Sequence, residues 1–208
     1  MKLSGTSGRE IARAASLLRA GGIVAYPTET YYGLAVDPFN EKALARPFRL
    51  KNRPAVKPVL VLVADRAQVD LLAGQITATA RRLMDRFWPG PLTLVLPARS
   101  GLSRFLTGGT GTVGVRLSPH PVAAALLQAF GAPLTATSAN RSGELPAVTA
   151  GEVRTAFASE VDLILDGGET PGKMGSTLVG VCGSQVTCLR EGCISFAQVT
   201  QASGTTAG

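Results

Sequence analysis

Short apolar runs alternate with helix-period stretches along almost the whole chain, and that alternation leaves few architectures open. Residues 8–20 read as an amphipathic helix closed by Gly21-Gly22. Ile23–Tyr26 is a short apolar strand stopped by Pro27, and a polar, aromatic loop follows over Thr28–Gly33. Asn40 is placed to cap a helix through Leu50, which Pro47 should bend or shorten. Strands are expected at Val59–Val63, Leu92–Leu96, Thr112–Leu117, Leu134–Thr137, Val161–Leu165, Ser176–Cys182 and Gln185–Arg190, the last two joined by a Gly183-Ser184 turn. Helices fall at Arg66–Ala73, Thr77–Phe87, 119–130 and, opened by a Thr149/Glu152 capping box, up to Ala158. Interleaved strands and helices of this kind make an α/β protein with a mixed sheet. One domain is expected over 8–198, with 199–208 as a disordered tail.

Hydrophobic residues are 45% of the 208 and charged residues only 17%, enough for a sizeable core and incompatible with a disordered chain. No apolar run approaches the roughly 20 residues that span a bilayer, and Met1–Arg9 carries no apolar leader. The expectation is a soluble cytoplasmic protein without membrane contact. Cys182, Cys188 and Cys193 form neither a disulfide framework nor a CxxC pair, and read as buried thiols in strands. His120 is the sole histidine, so most Ser-His, Cys-His and two-histidine metal chemistries drop out. In Ser118-Pro119-His120-Pro121, Ser118 reads as an N-cap and Pro119 as the first helical residue, which gives His120 a structural place.

The formal net charge of +7 calls for an anionic partner such as a nucleotide, phosphate or RNA. Lys42, Arg46, Arg49, Lys51, Arg53 and Lys57 fall in one stretch without an acid. Within it, Lys51-x-Arg53 sets two cations at a helix end, a point charge and a bidentate fork suited to one anion. Gly167–Met174 satisfies G-x-x-x-x-G-K, but Met174 replaces the Mg²⁺-binding hydroxyl, Pro171 removes an amide, and a strand follows instead of a helix. Gly108–Thr112 precedes a strand, the wrong order for a dinucleotide loop. Both glycine-rich segments, 100–112 and 167–176, are lid candidates. The loop Thr28–Gly33 and the run Thr135–Asn140 follow strands and gather hydroxyls, amides and a carboxylate, as ligand loops in α/β sheets do.

Taken together, Tyr26–Leu34, Lys51-x-Arg53-Pro54, Thr112–Arg116 and Ser138-x-Asn140-x-Ser142-Gly143 resemble the YrdC/TsaC family, the threonylcarbamoyl-AMP synthases. The resemblance extends from residue 8 to residue 195, and the paired K-x-R and S-x-N motifs are its most specific part. It implies a twisted α/β sheet with flanking helices around a deep, basic central cavity, in the short form without an extra C-terminal domain. It implies condensation of L-threonine, bicarbonate and ATP to threonylcarbamoyl-adenylate and pyrophosphate, feeding tRNA threonylcarbamoyladenosine modification. Direct tRNA contact or a downstream threonylcarbamoyl-transferase would complete the route. Carried onto matching positions, it assigns L-threonine to Thr28, Arg116 and Ser176, with Arg116 on the carboxylate. ATP falls to Lys51, Arg53, Thr112, Ser138, Asn140 and Arg190, with Lys51 and Arg53 also catalytic and Lys57 extending the phosphate patch. Mg²⁺ would accompany ATP, held by phosphates and water.

The residues by themselves fit that reading: three anionic substrates need excess cations, and without an acid/base pair catalysis rests on positioning and charge stabilisation. The role of Glu29 is left open. Two alternatives also stay open, a related carbamoyl or adenylyl transferase of the same fold and a non-catalytic RNA-binding protein. Against the latter, the chain has no array of stacking aromatics.

Overall fold

The computed structural model describes residues 6–52 and 58–204. The chain opens with helix α1, Gly8–Arg19, held by a capping box in which Ser7 and Glu10 exchange bonds. Its Ile11, Ala14, Ala15 and Leu18 form one buried stripe at helical spacing. Strand β1 (Val24–Pro27) turns through Thr28–Tyr31 into β2 (Tyr32–Ala35), paired antiparallel from Val24–Ala35 to Pro27–Tyr32. This second strand lies partly in the stretch expected to be loop. Its shortness and the polar loop directly before it hide it, yet all four residues are buried.

Helix α2, Glu41–Lys51, starts on Asn40, whose side chain accepts from Ala43 N–H, and ends on Asn52 in the left-handed region. Pro47 neither breaks nor shortens it. Ala43, Leu44, Pro47 and Phe48 are all buried, so packing outweighs the single hydrogen bond that proline removes. Then follow β3 (Leu60–Leu62), a 3₁₀ turn Ala67–Leu71 where a longer helix was expected, α3 (Ala78–Phe87), β4 (Leu92–Pro97) and the short α4 (Arg104–Thr107). Next come β5 (Thr112–Arg116), α5 (Pro121–Phe130), β6 (Leu134–Thr135), β7 (Thr137–Ser138), α6 (Ala150–Phe157) and β8 (Leu163–Ile164). The chain closes with the hairpin β9 (Thr177–Cys182) and β10 (Gln185–Arg190), then α7 (Phe196–Ser203).

The strands divide between two mixed sheets. Four strands run in the order β7-β2-β1-β8 and six in the order β10-β9-β4-β5-β3-β6. Helices α1 and α5 pack on each other over the first sheet, around Leu18, Tyr26, Leu126 and Leu127. The larger core fills the space beneath the second sheet with Leu92, Leu94, Val113, Val115 and Val179.

Three local expectations change. The N-cap of α5 is His120, with Pro121 as its first residue, one Xaa-Pro step later than Ser118-Pro119. At α6, Thr149 caps Glu152 N–H, but the Glu152 carboxylate accepts from Val148 N–H at 2.6 Å, so the box is shifted by one residue. Residues 199–203 are helix, not tail: Val199 is buried against the core, and Arg82 donates to the Ser203 carbonyl at 2.7 and 3.1 Å.

Candidate functional site

Strand pleating builds the floor of the site. Along β5, Val113 and Val115 turn into the core while Thr112, Gly114 and Arg116 turn to the other face. Along β4, Leu92, Leu94 and Leu96 go inward and Thr93 and Val95 outward, and along β9 Leu178 shares the outward face with Ser176 just before the strand. Over this face lies a cavity of about 470 Å³. Its walls come from Thr28, Thr30–Gly33, Pro58–Leu60, Ala136–Ser138, Met174–Ser176 and Arg190–Glu191.

At one end, hydroxyls and guanidinium groups converge. Thr28 Oγ1 donates to the Tyr31 carbonyl at 2.7 Å and lies 3.1 Å from Thr30 Oγ1. Arg116, 3% exposed, reaches Thr30 Oγ1 with Nη1 at 3.4 Å. Its Nε stands 3.2 Å from Glu29 Oε1, an ion-pair distance, without the alignment of a hydrogen bond. Ser118 Oγ accepts from His120 N–H at 3.2 Å and donates to the other oxygen of Glu29. Glu29, Arg116 and Ser118 thus make one buried network. On the facing wall Ser176 takes a hydrogen bond from Thr93 at 2.8 Å, and Arg190 donates to the Ser176 carbonyl at 2.8 Å. Burial, and then the nearby Arg116 cation, hold the Arg190 pKa below the usual guanidinium range.

The second group gathers where α2 meets the segment after β7. Lys51 donates to the Ser138 carbonyl and, at 3.1 Å, to Asn140 Oδ1. Ser138 Oγ donates to the same Asn140 oxygen at 2.6 Å. The Asn140 amide bonds the carbonyls of Arg141 and Glu144, which fixes the turn. That turn in turn satisfies the end of α2: Arg141 Nη1 donates to the Leu50 carbonyl and Ser142 N–H to the Lys51 carbonyl, each at 3.1 Å. The two motifs therefore form one unit. Ser138 faces the cavity, and Lys51 and Asn140 lie buried behind it.

Of the residues expected at the site, Thr28, Thr112, Arg116, Ser138, Ser176 and Arg190 line one cavity, and Lys51 and Asn140 join it through Ser138. Arg53 and Lys57 lie outside the described residues. Sequence reasoning missed Thr93, which is embedded in an apolar strand run, and its only signal is its place on the outward face of β4. His120 lies beside the site, but its Nδ1 accepts from Val122 N–H, and burial lowers its pKa. The 167–176 segment runs from β8 into β9 without a helix, which excludes a phosphate-binding P-loop. It is tied down instead: Tyr32 donates to the Gly168 carbonyl, Thr170 N–H to Val148, and Gly172 N–H to Thr30. The other glycine-rich segment contains α4, with Leu106 buried. The cysteines are not buried strand thiols. Cys182 and Cys193 are exposed and Cys188 is half-buried, because β10 is an edge strand and the others flank its turns. Among the described residues, no group of three His, Cys, Asp or Glu is placed to hold a metal.

Known proteins resemble this chain in sequence and fold. The Sua5/YciO/YrdC family model, described as "Telomere recombination", matches residues 16–192. The threonylcarbamoyl-AMP synthase of Pyrococcus abyssi is 39% identical over 191 residues, 92% of this chain and 56% of that protein. The synthase of Halorhodospira halophila is 41% identical over 171 residues, 82% of this chain and 87% of that protein. The crystal structure of P. abyssi Sua5 complexed with L-threonine matches with a TM-score of 0.91 at 38% identity, covering 95% of this chain and 58% of that one. E. coli YciO matches at 0.82 and 27% identity, covering 91% and 92%. The chain therefore spans a little over half the length of the P. abyssi relative and most of the shorter ones. It belongs to the Sua5/YciO/YrdC family.

Proposed function

We propose that this chain is a threonylcarbamoyl-AMP synthase, which condenses L-threonine, bicarbonate and ATP to threonylcarbamoyl-adenylate and pyrophosphate. The observation that carries the reading is the meeting of two polar groups in one basic cavity, the Thr28–Arg116–Ser176 end and the Lys51–Ser138–Asn140 unit. It is supported by relatives named threonylcarbamoyl-AMP synthase at about 40% identity, which is more than fold likeness alone provides.

In this reading Arg116 takes the threonine carboxylate, with Thr28 and Ser176 as hydroxyl partners. Lys51, Arg53, Ser138, Asn140, Thr112 and Arg190 take ATP. The neutral threonine amine adds to the carbon of bicarbonate with loss of water. A carbamate oxygen then attacks the α-phosphorus of ATP, and pyrophosphate leaves. Lys51 and Arg53 would offset the charge that grows on the leaving phosphates. With His120 engaged as a helix cap, catalysis rests on alignment and electrostatics more than on a side-chain base.

Among the described residues no protein cage for Mg²⁺ is placed: Glu29, the carboxylate beside the threonine end, is engaged by Arg116 and Ser118. Mg²⁺ is taken as part of the nucleotide substrate. The catalytic unit, expected over 8–198, extends in this reading to Ser203. Among the described residues, no helix is long and apolar enough to cross a membrane, and a cytoplasmic place beside ATP and tRNA is part of the proposal. So is delivery of the adenylate to tRNA by a downstream threonylcarbamoyl-transferase.

Mass spectrometry of the products formed with carbon-labelled bicarbonate tests this. The label should appear in an adenylate that also contains threonine. An unlabelled adenylate, or none, would remove the reading.

A further inference from the structure

Ser176 sits in the cavity wall at 2% exposure with its hydroxyl surrounded by donors. Thr93 Oγ1 donates to Ser176 Oγ at 2.8 Å. Arg190 Nη2 stands 3.5 Å from the same oxygen while it holds the Ser176 carbonyl at 2.8 Å. A serine hydroxyl has two acceptor lone pairs and one proton. Donors occupy both acceptor directions, and the proton meets no acceptor among the described residues. The direction left to it is the cavity.

Thr93 is itself 1% exposed, fixed on β4 between Leu92 and Leu94, which are fully buried. Its backbone pairs with Leu178 of β9, and Leu92 pairs with Thr177, so the register of two central strands sets the distance between the hydroxyls. A β-branched side chain on a strand has little rotamer freedom, which makes it a firm support.

We infer that Thr93 is a positioning residue that fixes the Ser176 hydroxyl as a donor, so that this end of the cavity reads an acceptor oxygen, a carboxylate or carbonyl, on the amino-acid substrate. The inference rests on the proposed binding of L-threonine at Ser176. An uncharged hydroxyl held this way adds one fixed neutral donor beside the two guanidinium groups.

The test is steady-state kinetics of Thr93→Val and Thr93→Ser. Loss of one neutral hydrogen bond raises KM for L-threonine about threefold to tenfold in Thr93→Val, with KM for ATP unchanged. Thr93→Ser keeps the hydroxyl and restores the wild-type value. In a Ser176→Ala background, Thr93→Val adds nothing further, because the group it positions is gone. An unchanged threonine KM in Thr93→Val overturns the inference, as does an equal loss in Thr93→Ser or a parallel rise in KM for ATP. All three would leave the synthase reading standing if wild-type turnover depends on threonine. A wild type without that dependence overturns both.

Discussion

Lys51 and Asn140 are 89 residues apart in the chain and joined at 3.1 Å between Nζ and Oδ1. The contact is backed by Arg141 and Ser142, which satisfy the last carbonyls of α2. A lysine with 3% exposure needs such partners, since an unpaired buried ammonium is costly. Ser138→Ala and Asn140→Ala should each raise KM for ATP about tenfold, the scale of a hydrogen bond to a charged group. The threonine KM should stay near wild type. Titration of ATP under single-turnover conditions checks this, and a purely RNA-binding surface would tolerate both changes.

Arg116 and Glu29 face each other at 3.2 Å with little exposure, 4% and 12% of their side chains. Arg116→Ala leaves a buried carboxylate without its cation and should cost about 3 kcal/mol of stability. Adding Glu29→Gln removes that stranded charge and should recover part of the loss, although activity stays absent. Urea unfolding of the single and double variants measures the coupling.

A tight backbone approach positions Ser176. A Cβ on Gly192 would stand 2.2 Å from the Gly175 carbonyl oxygen and 2.7 Å from the Ser176 carbonyl. These atoms are backbone and cannot swing aside. Gly192→Ala should therefore displace the 175–176 strand entry, destabilise by about 1–3 kcal/mol, and lower kcat/KM for threonine more than for ATP.

The cap of α5 sets a pH dependence. His120 Nδ1 accepts from Val122 N–H, and burial lowers its pKa below the ordinary value of 6.5. The folded state therefore prefers the neutral ring, and the unfolded chain binds more protons as pH falls through that value. The contribution is complete above about pH 6.5 and is lost below it. Thermal unfolding across that range should show a fall in Tm that His120→Asn, a cap without a titrating proton, flattens.

Much of this molecule is legible in its sequence because period and punctuation agree with packing. The α1 stripe and the alternation in Leu92–Leu96 and Thr112–Arg116 expose both the elements and the face that lines the cavity. The described motif residues from Thr28 to Arg190 come together as their spacing alone could not dictate, Lys51 and Asn140 through Ser138. What escaped had physical causes. Strand β2 is four residues long and directly follows the threonine-rich loop, and it is recognisable only by its pairing with β1 and β7. Ser118-Pro119 and His120-Pro121 give the same start signal twice, and the structure separates them by setting His120 Nδ1 on Val122 N–H while Ser118 donates to Glu29. Helix α7 is short, its Ser195/Gln198 capping box and Gly204 C-cap went unread at the chain end, and it is held by Val199 and Arg82. Thr93 is one hydroxyl in an apolar strand until β4 and β9 are set side by side.

The most direct measurement is pyrophosphate release from ATP by the full chain, with L-threonine and bicarbonate added singly and together, and with Arg116→Lys alongside. The account predicts release only when both are present, and a loss of at least about tenfold in kcat/KM for threonine in the variant, where the charge remains but the fork is gone. Release that ignores threonine, or an unaffected Arg116→Lys enzyme, would contradict it.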